Sequence, residues 1–84
     1  MKGNLLIVDD EPNILKTLEI SLRGADYEVF GFANAEDALC EIDKDLFGSR
    51  KYSAALIDLM MFPMNGITLM QELHRRMADL IIKT

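Results

Sequence analysis

A single cysteine, Cys40, stands in 84 residues, so no internal disulfide can staple this chain. With no CxxC pair and no Cys/His cluster there is no zinc site either, and nothing points to an oxidising compartment. Basic residues are also in short supply. Nine Lys and Arg against fourteen Asp and Glu leave a net charge of −5, a balance that repels phosphate backbones and suits cationic ligands, so no direct nucleic-acid partner is expected. Long apolar runs are missing as well. The amino terminus passes from Met1-Lys2 through the apolar run Leu5 to Val8 into Asp9-Asp10-Glu11, too short for a signal peptide or a membrane span. The expectation is a cytoplasmic protein with no membrane contact.

What is present is half hydrophobic and 27% charged, the mixture of a globular domain. A chain of this length makes one small domain and buries roughly 63% of the surface that its unfolded form exposes. Leu5-Leu6-Ile7-Val8 shows no polar alternation, which marks a strand covered on both faces. Pro12 suits a first helical position, and Ile14, Leu18, Ser21 and Leu22 share one face of a helix predicted over about Pro12–Arg23. Gly24 fits the residue just past that helix. Tyr27–Phe32 reads as a second strand, and Asn34 caps a second helix whose buried stripe is Ala38, Leu39, Ile42 and Leu46. Gly48–Lys51 reads as a loop and Ala54–Leu59 as a third strand carrying Asp58. Phe62 to Gly66 is predicted to be a turn. A third helix marked by Met70, Leu73 and Met77 follows, then a fourth strand at Leu80-Ile81-Ile82. The order βαβαβαβ implies a parallel sheet with right-handed crossovers and helices on both faces.

In such sheets ligands bind beyond the carboxyl ends of the strands. Asp9 and Asp10 follow the first strand and Asp58 ends the third, so three carboxylates distant in sequence are predicted to meet at one edge. Taken alone, Asp9-Asp10-Glu11 also fits plain capping and dipole compensation of the helix that follows. Asp58 is different, because a carboxylate ending an apolar strand is costly to bury without a partner. Like charges that close raise one another's pKa unless a cation lies among them, and Mg²⁺ suits a site with few protein oxygens.

Leu5-Leu6-Ile7-Val8-Asp9-Asp10-Glu11-Pro12, together with Leu56-Ile57-Asp58-Leu59-Met60-Met61 and Pro63-Met64-Asn65-Gly66, resembles the receiver domain of two-component response regulators along the whole chain. The resemblance implies an α/β, flavodoxin-like parallel sheet of order 2-1-3-4-5, of which residues 1–84 make the N-terminal two-thirds, βαβαβαβ in the order 2-1-3-4. It implies that Asp58 accepts a phosphoryl group from a sensor histidine kinase or histidine phosphotransfer protein. It further implies that Asp10 binds Mg²⁺ directly, that Asp9 holds a metal water, that the Met60 carbonyl adds a ligand and that the Thr84 hydroxyl turns toward the phosphoryl group. The first helix is the kinase-docking element in this family, which makes Leu15 and Ile20 candidate contacts. A pseudo-receiver, acting only as an interaction or structural module, is the alternative. A Mg²⁺-dependent phosphohydrolase is disfavoured, since Asp58 has no second acid two residues on.

Two departures from the family pattern stand out. Phe62 occupies the position where proline is usual, so the backbone restriction that precedes a proline falls on Phe62 itself. The chain also ends before the further helices and the fifth strand, whose lysine pairs with the phosphoryl oxygens in the family. The expected consequence is an exposed apolar edge at the fourth strand and self-association through it. His74 is expected on the surface, and Cys40 as a partly buried small apolar residue.

Overall fold

The computed structural model describes residues 2–44, 52–60, 64–77 and 80–83. Strand β1 (Asn4–Val8) leads into α1 (Pro12–Gly24), then β2 (Glu28–Phe32), α2 (Ala35–Lys44), β3 (Tyr52–Ile57), α3 (Gly66–Arg76) and β4 (Ile81–Lys83). All strand pairs are parallel and the sheet order is β2-β1-β3-β4, as expected from the alternation. Leu46, the Gly48–Lys51 loop, Phe62 and Thr84 lie outside the described residues.

Each helix starts where a side chain satisfies its free amides. Glu11 accepts from the Asn13 amide at 3.3 Å with Pro12 at the first helical position, and Asn34 accepts from the Asp37 amide at 2.8 Å. Asn65 accepts from the Thr68 amide at 2.9 Å, so Gly66 opens α3 instead of closing a turn.

Pairing of Leu6 with Ala55 and Val8 with Ile57 sets these residues on one face of the sheet. They form the core there with Ala35, Ala38 and Leu39 of α2, with Leu69 and Leu73 of α3, and with Leu80. Leu73 is buried as predicted, but Leu69 replaces Met70 and Met77 at the centre of the helical stripe; those two methionines are only half-buried. A register shift between Asn4 and Leu5 brings Tyr52 round to this face, where its ring meets Phe30 edge-on at 5.7 Å. Arg76 ties the two helices together, with its guanidinium 2.7 Å from Asp43 and 2.8 Å from Glu72.

Helix α1 lies on the opposite face, over β2 and β1, and it has no fully buried residue. It is turned away from the predicted orientation. Leu15, Leu18, Glu19 and Leu22 are half-buried, whereas Ile14 is 49% exposed and Ser21 is exposed. The cause is Gly31 on β2: a Cβ there would lie 3.1 Å from Leu15 Cδ1 and 3.0 Å from Glu19 Cδ, so the bare glycine lets this edge of the helix settle onto the strand. Gly24 belongs to the helix, and the left-handed residue after it is Asp26, at φ 73°. Cys40 is exposed, not partly buried, since Ala38 and Leu39 take the inward positions of α2.

Candidate functional site

Strands β1 and β3 stop at the same level, and the chain beyond each still runs alongside its neighbour. The Asp9 amide donates to the Phe32 carbonyl at 3.1 Å, and the Asp58 amide to the Val8 carbonyl at 2.9 Å. Asp58 is thus the first residue past β3, one position beyond the strand in which the sequence placed it. This parallel extension carries Asp9, Asp10 and Asp58 to one spot, where a carboxylate oxygen from each lies within 4.8 Å of the others. The sequence-predicted cluster is therefore assembled in space.

Two of the three carboxylates are oriented by local amides. Asp9 Oδ1 accepts from the Glu11 amide at 2.9 Å, and Asp58 Oδ1 accepts from the Met60 amide at 3.0 Å. Each acid bends its own following turn. Asp10 is exposed as a residue, but its carboxyl is pushed above the usual carboxylate range. Desolvation comes first among the causes, followed by the charge of Asp58, a hydrogen bond with Asp58 and the charge of Asp9. Among the described residues no lysine or arginine forms an ion pair with any of the three. Three acids with no cationic side chain among them form an oxygen-only donor set of the kind that a hard divalent cation neutralises.

One support of the site escaped the sequence reading. The sequence predicts Gly66 in a turn, yet it is buried at the start of α3 and its amide donates to the Leu59 carbonyl at 3.2 Å. A Cβ at Gly66 would sit 2.6 Å from Leu59 Cα and would collide with the Asp58 carbonyl. The glycine is therefore what allows α3 to back onto the Asp58 turn. The Asn65-Gly66 pair ahead of an apolar helix was the available signal.

Other candidates fall in different places. Met60 is 87% exposed beside Asp58. Ile20 is 62% exposed, whereas Leu15 turns toward β2. His74 is exposed as expected, with Nε2 3.3 Å from the Leu80 carbonyl, so it braces the way into β4. Next to the acidic edge lies a cavity of about 450 Å³ whose walls include Ile7, Leu18, Leu56 and Leu59, with Asp9 and Asp58 at its rim.

A parallel 2-1-3-4 sheet with three acids at the carboxyl ends of its central strands defines a receiver-type domain. The chain belongs to the response regulator receiver domain family, which it matches over residues 5–83. It is a receiver domain of the two-component systems, hence a signalling domain. Regulatory protein VanR of Enterococcus faecium is 34% identical over 74 residues, which is 88% of this chain and 30% of that protein. Response regulator TrrA of Thermotoga maritima, solved in complex with Mg²⁺-BeF, is 31% identical with a TM-score of 0.78, covering 95% of this chain and 65% of that one. A complex of histidine kinase ThkA with TrrA matches with the same identity and coverage, at a TM-score of 0.79. The chain spans about a third of the length of the curated relatives that it matches. No helix among the described residues is long and apolar enough to cross a membrane.

Proposed function

We propose that Asp58 is a phosphoacceptor, charged by a histidine kinase or a histidine phosphotransfer protein in a site that takes Mg²⁺. The observation that carries this reading is the convergence of the Asp9, Asp10 and Asp58 oxygens within 4.8 Å with no cationic side chain paired to them. Asp9, Asp10, Asp58 and the Met60 carbonyl are the groups that would hold the metal. When bound, Mg²⁺ supplies positive charge to the phosphoryl oxygens. The chain contributes the nucleophile. A carboxylate oxygen of Asp58 bonds to phosphorus as the bond from phosphorus to the donor imidazole nitrogen breaks, and the departing imidazole keeps the electron pair. The amide of Met60, donating to the other oxygen of Asp58, fixes the direction of attack.

Thr84 completes the proposed site as a hydroxyl donor to the phosphoryl group. The donor is proposed to dock along α1, where exposed Ile20 and the flank of Leu15 offer apolar contact, as the ThkA–TrrA pairing suggests by analogy. Such a partnership belongs to the cytoplasm. Self-association through the β4 edge is proposed as well, because Ile81 there is 57% exposed.

Incubation with acetyl phosphate and Mg²⁺ should leave an acid-stable, base-labile acyl phosphate on the wild type and none on Asp58→Asn, which keeps nearly the same shape. Label that persists in Asp58→Asn removes Asp58 from the role. A wild type that takes up no label leaves an interaction module of receiver fold.

A further inference from the structure

We infer that Arg23 guards the outer edge of β2 and keeps that edge from pairing with the same strand of a second copy of this chain. The inference stands apart from the phosphoacceptor reading, and every contact it uses lies within residues 2–32.

The ladder shows which way β2 points its backbone. The Glu28 amide donates to the Gly3 carbonyl at 2.9 Å, and the Phe32 carbonyl accepts from the Asp9 amide at 3.1 Å, so the even-numbered residues of β2 turn their amides and carbonyls toward β1. In a parallel strand the alternate residues turn theirs the other way. Val29 and Gly31 therefore present both groups outward, at the end of the sheet, where β1 is the one neighbour of β2 among the described residues.

Composition makes that edge a hazard. Tyr27-Glu28-Val29-Phe30-Gly31-Phe32 is aromatic and β-branched with a lone charge and no proline, the kind of segment that pairs with its own copies when an edge is left open. An antiparallel pairing centred on Phe30 would set Val29 against Gly31 of the second copy, and such a pair exchanges both of its backbone hydrogen bonds. It would also set Glu28 against Phe32 of the second copy, so no two acids would meet.

Arg23 stands in the way. From the last turn of α1 its Nη2 donates to the Val29 carbonyl at 3.1 Å, while its Nη1 lies 3.4 Å from Glu19 Oε2. Glu19 is itself set above Gly31, where a Cβ would collide with its carboxylate. The guanidinium thus takes the acceptor that a second strand would need, and it brings to the edge a charge that such a strand would have to desolvate or displace.

Sedimentation at micromolar concentration tests the guard, with Ile81→Glu in every chain to remove apolar contact at the β4 end of the sheet. Arg23→Gln keeps a helix-forming stem but cannot reach Val29, and the 55% exposure of the Arg23 side chain keeps the variant folded, which far-UV circular dichroism checks. Should its helical signal be lost, Arg23→Ala gives the same readings. Self-association of the variant is expected to be about tenfold or more stronger than that of its parent. Charge alone predicts the reverse, because removing a cation from a chain of net charge −5 increases the repulsion between copies. Hydrogen exchange should show the Val29 and Gly31 amides more protected in the assembled variant than in its parent. Equal or weaker association overturns the inference and leaves Arg23 as a tie between α1 and β2. Stronger association without added protection at Val29 and Gly31 overturns it too, since the copies then meet elsewhere.

Discussion

The two faces of the sheet are closed to very different degrees. On one, α2 and α3 cover the strands, and the side chains of Leu6, Val8, Ala38, Ala55, Leu69 and Leu73 have no exposed surface at all. On the other, α1 covers β2 and β1 without burying a single residue of its own completely, and the surface of β3 and β4 there shows half-buried Leu56 and exposed Ile81. The difference separates two tasks. The closed face holds the molecule together, whereas the open face carries the acidic rim, the adjoining cavity and Lys83. Gly66 joins the two, because it lets a helix of the closed face press directly on the turn that presents Asp58.

Truncation of one leucine on each face gives the largest test of that division. Leu73→Ala leaves a cavity in a fully packed core and should cost about 2–5 kcal/mol, a large part of the stability of a domain this small. Leu56→Ala removes a half-buried side chain from the open face and should cost about 1 kcal/mol. Urea denaturation monitored by circular dichroism reads both. Equal losses would mean that the open face contributes as much as the closed one, and the comparison would collapse.

A smaller effect concerns pH, and the two regions carry opposite signs. Asp43 is held below its ordinary value of 3.8, first by the hydrogen bond from Arg76, and Glu72 below its ordinary 4.5, first by the hydrogen bond from Arg75 and then by that from Arg76. A carboxyl whose pKa is depressed in the folded state contributes stability that is present above its unfolded pKa and lost as pH falls through the folded one. The Arg76 clamp between α2 and α3 should therefore help above about pH 4.5 and fade below 3.8. Asp10 runs the other way. Its raised pKa means that folding tightens proton binding there, so its contribution is lost as pH rises through the carboxylate range. Arg76→Gln should be less stable than the wild type at pH 7 and indistinguishable from it in strong acid. A gap between the two that widens on acidification would reverse the sign and disprove the clamp.

The closed face was also the more legible one in the sequence. Continuous apolar runs fixed β1 and β3, and the stripes on α2 and α3 were read with Ala38, Leu39 and Leu73 correctly inward. The acidic cluster was legible because parallel topology alone brings the ends of β1 and β3 together. Misreadings gathered where packing is one-sided. Helix α1 carries apolar residues around much of its circumference, so its periodicity could not choose between Ile14 and Leu15; that choice is made by Gly31 on a different element. Gly24 offered the usual signal for a helix end, yet the chain turns one residue past the Ala25 cap, at Asp26, because the Ala25 amide still bonds back to Ser21 and Leu22. The apolar run around Asp58 predicts a strand interior there, because such a run does not show where its ladder ends, and β3 stops at Ile57.

The smallest expected change in stability belongs to Ile81, and it bears most directly on the open face. At 57% exposure Ile81 contributes little to the fold, so Ile81→Glu should leave the urea midpoint within about 0.5 kcal/mol of the wild type. Its effect on association should be far larger. Backbone pairing through β4 is limited by the strand's three residues and by Lys83, features that blunt a sheet edge. Association then depends on apolar contact through Ile81 and its ladder partner Ala54, and a carboxylate placed there must be desolvated in any such contact. Sedimentation at micromolar concentration should show the wild type as a dimer or larger assembly and Ile81→Glu as a monomer of unchanged stability. A wild type that sediments as a sharp monomer would show that a three-residue edge ending in lysine suffices to keep the open face apart from its copies.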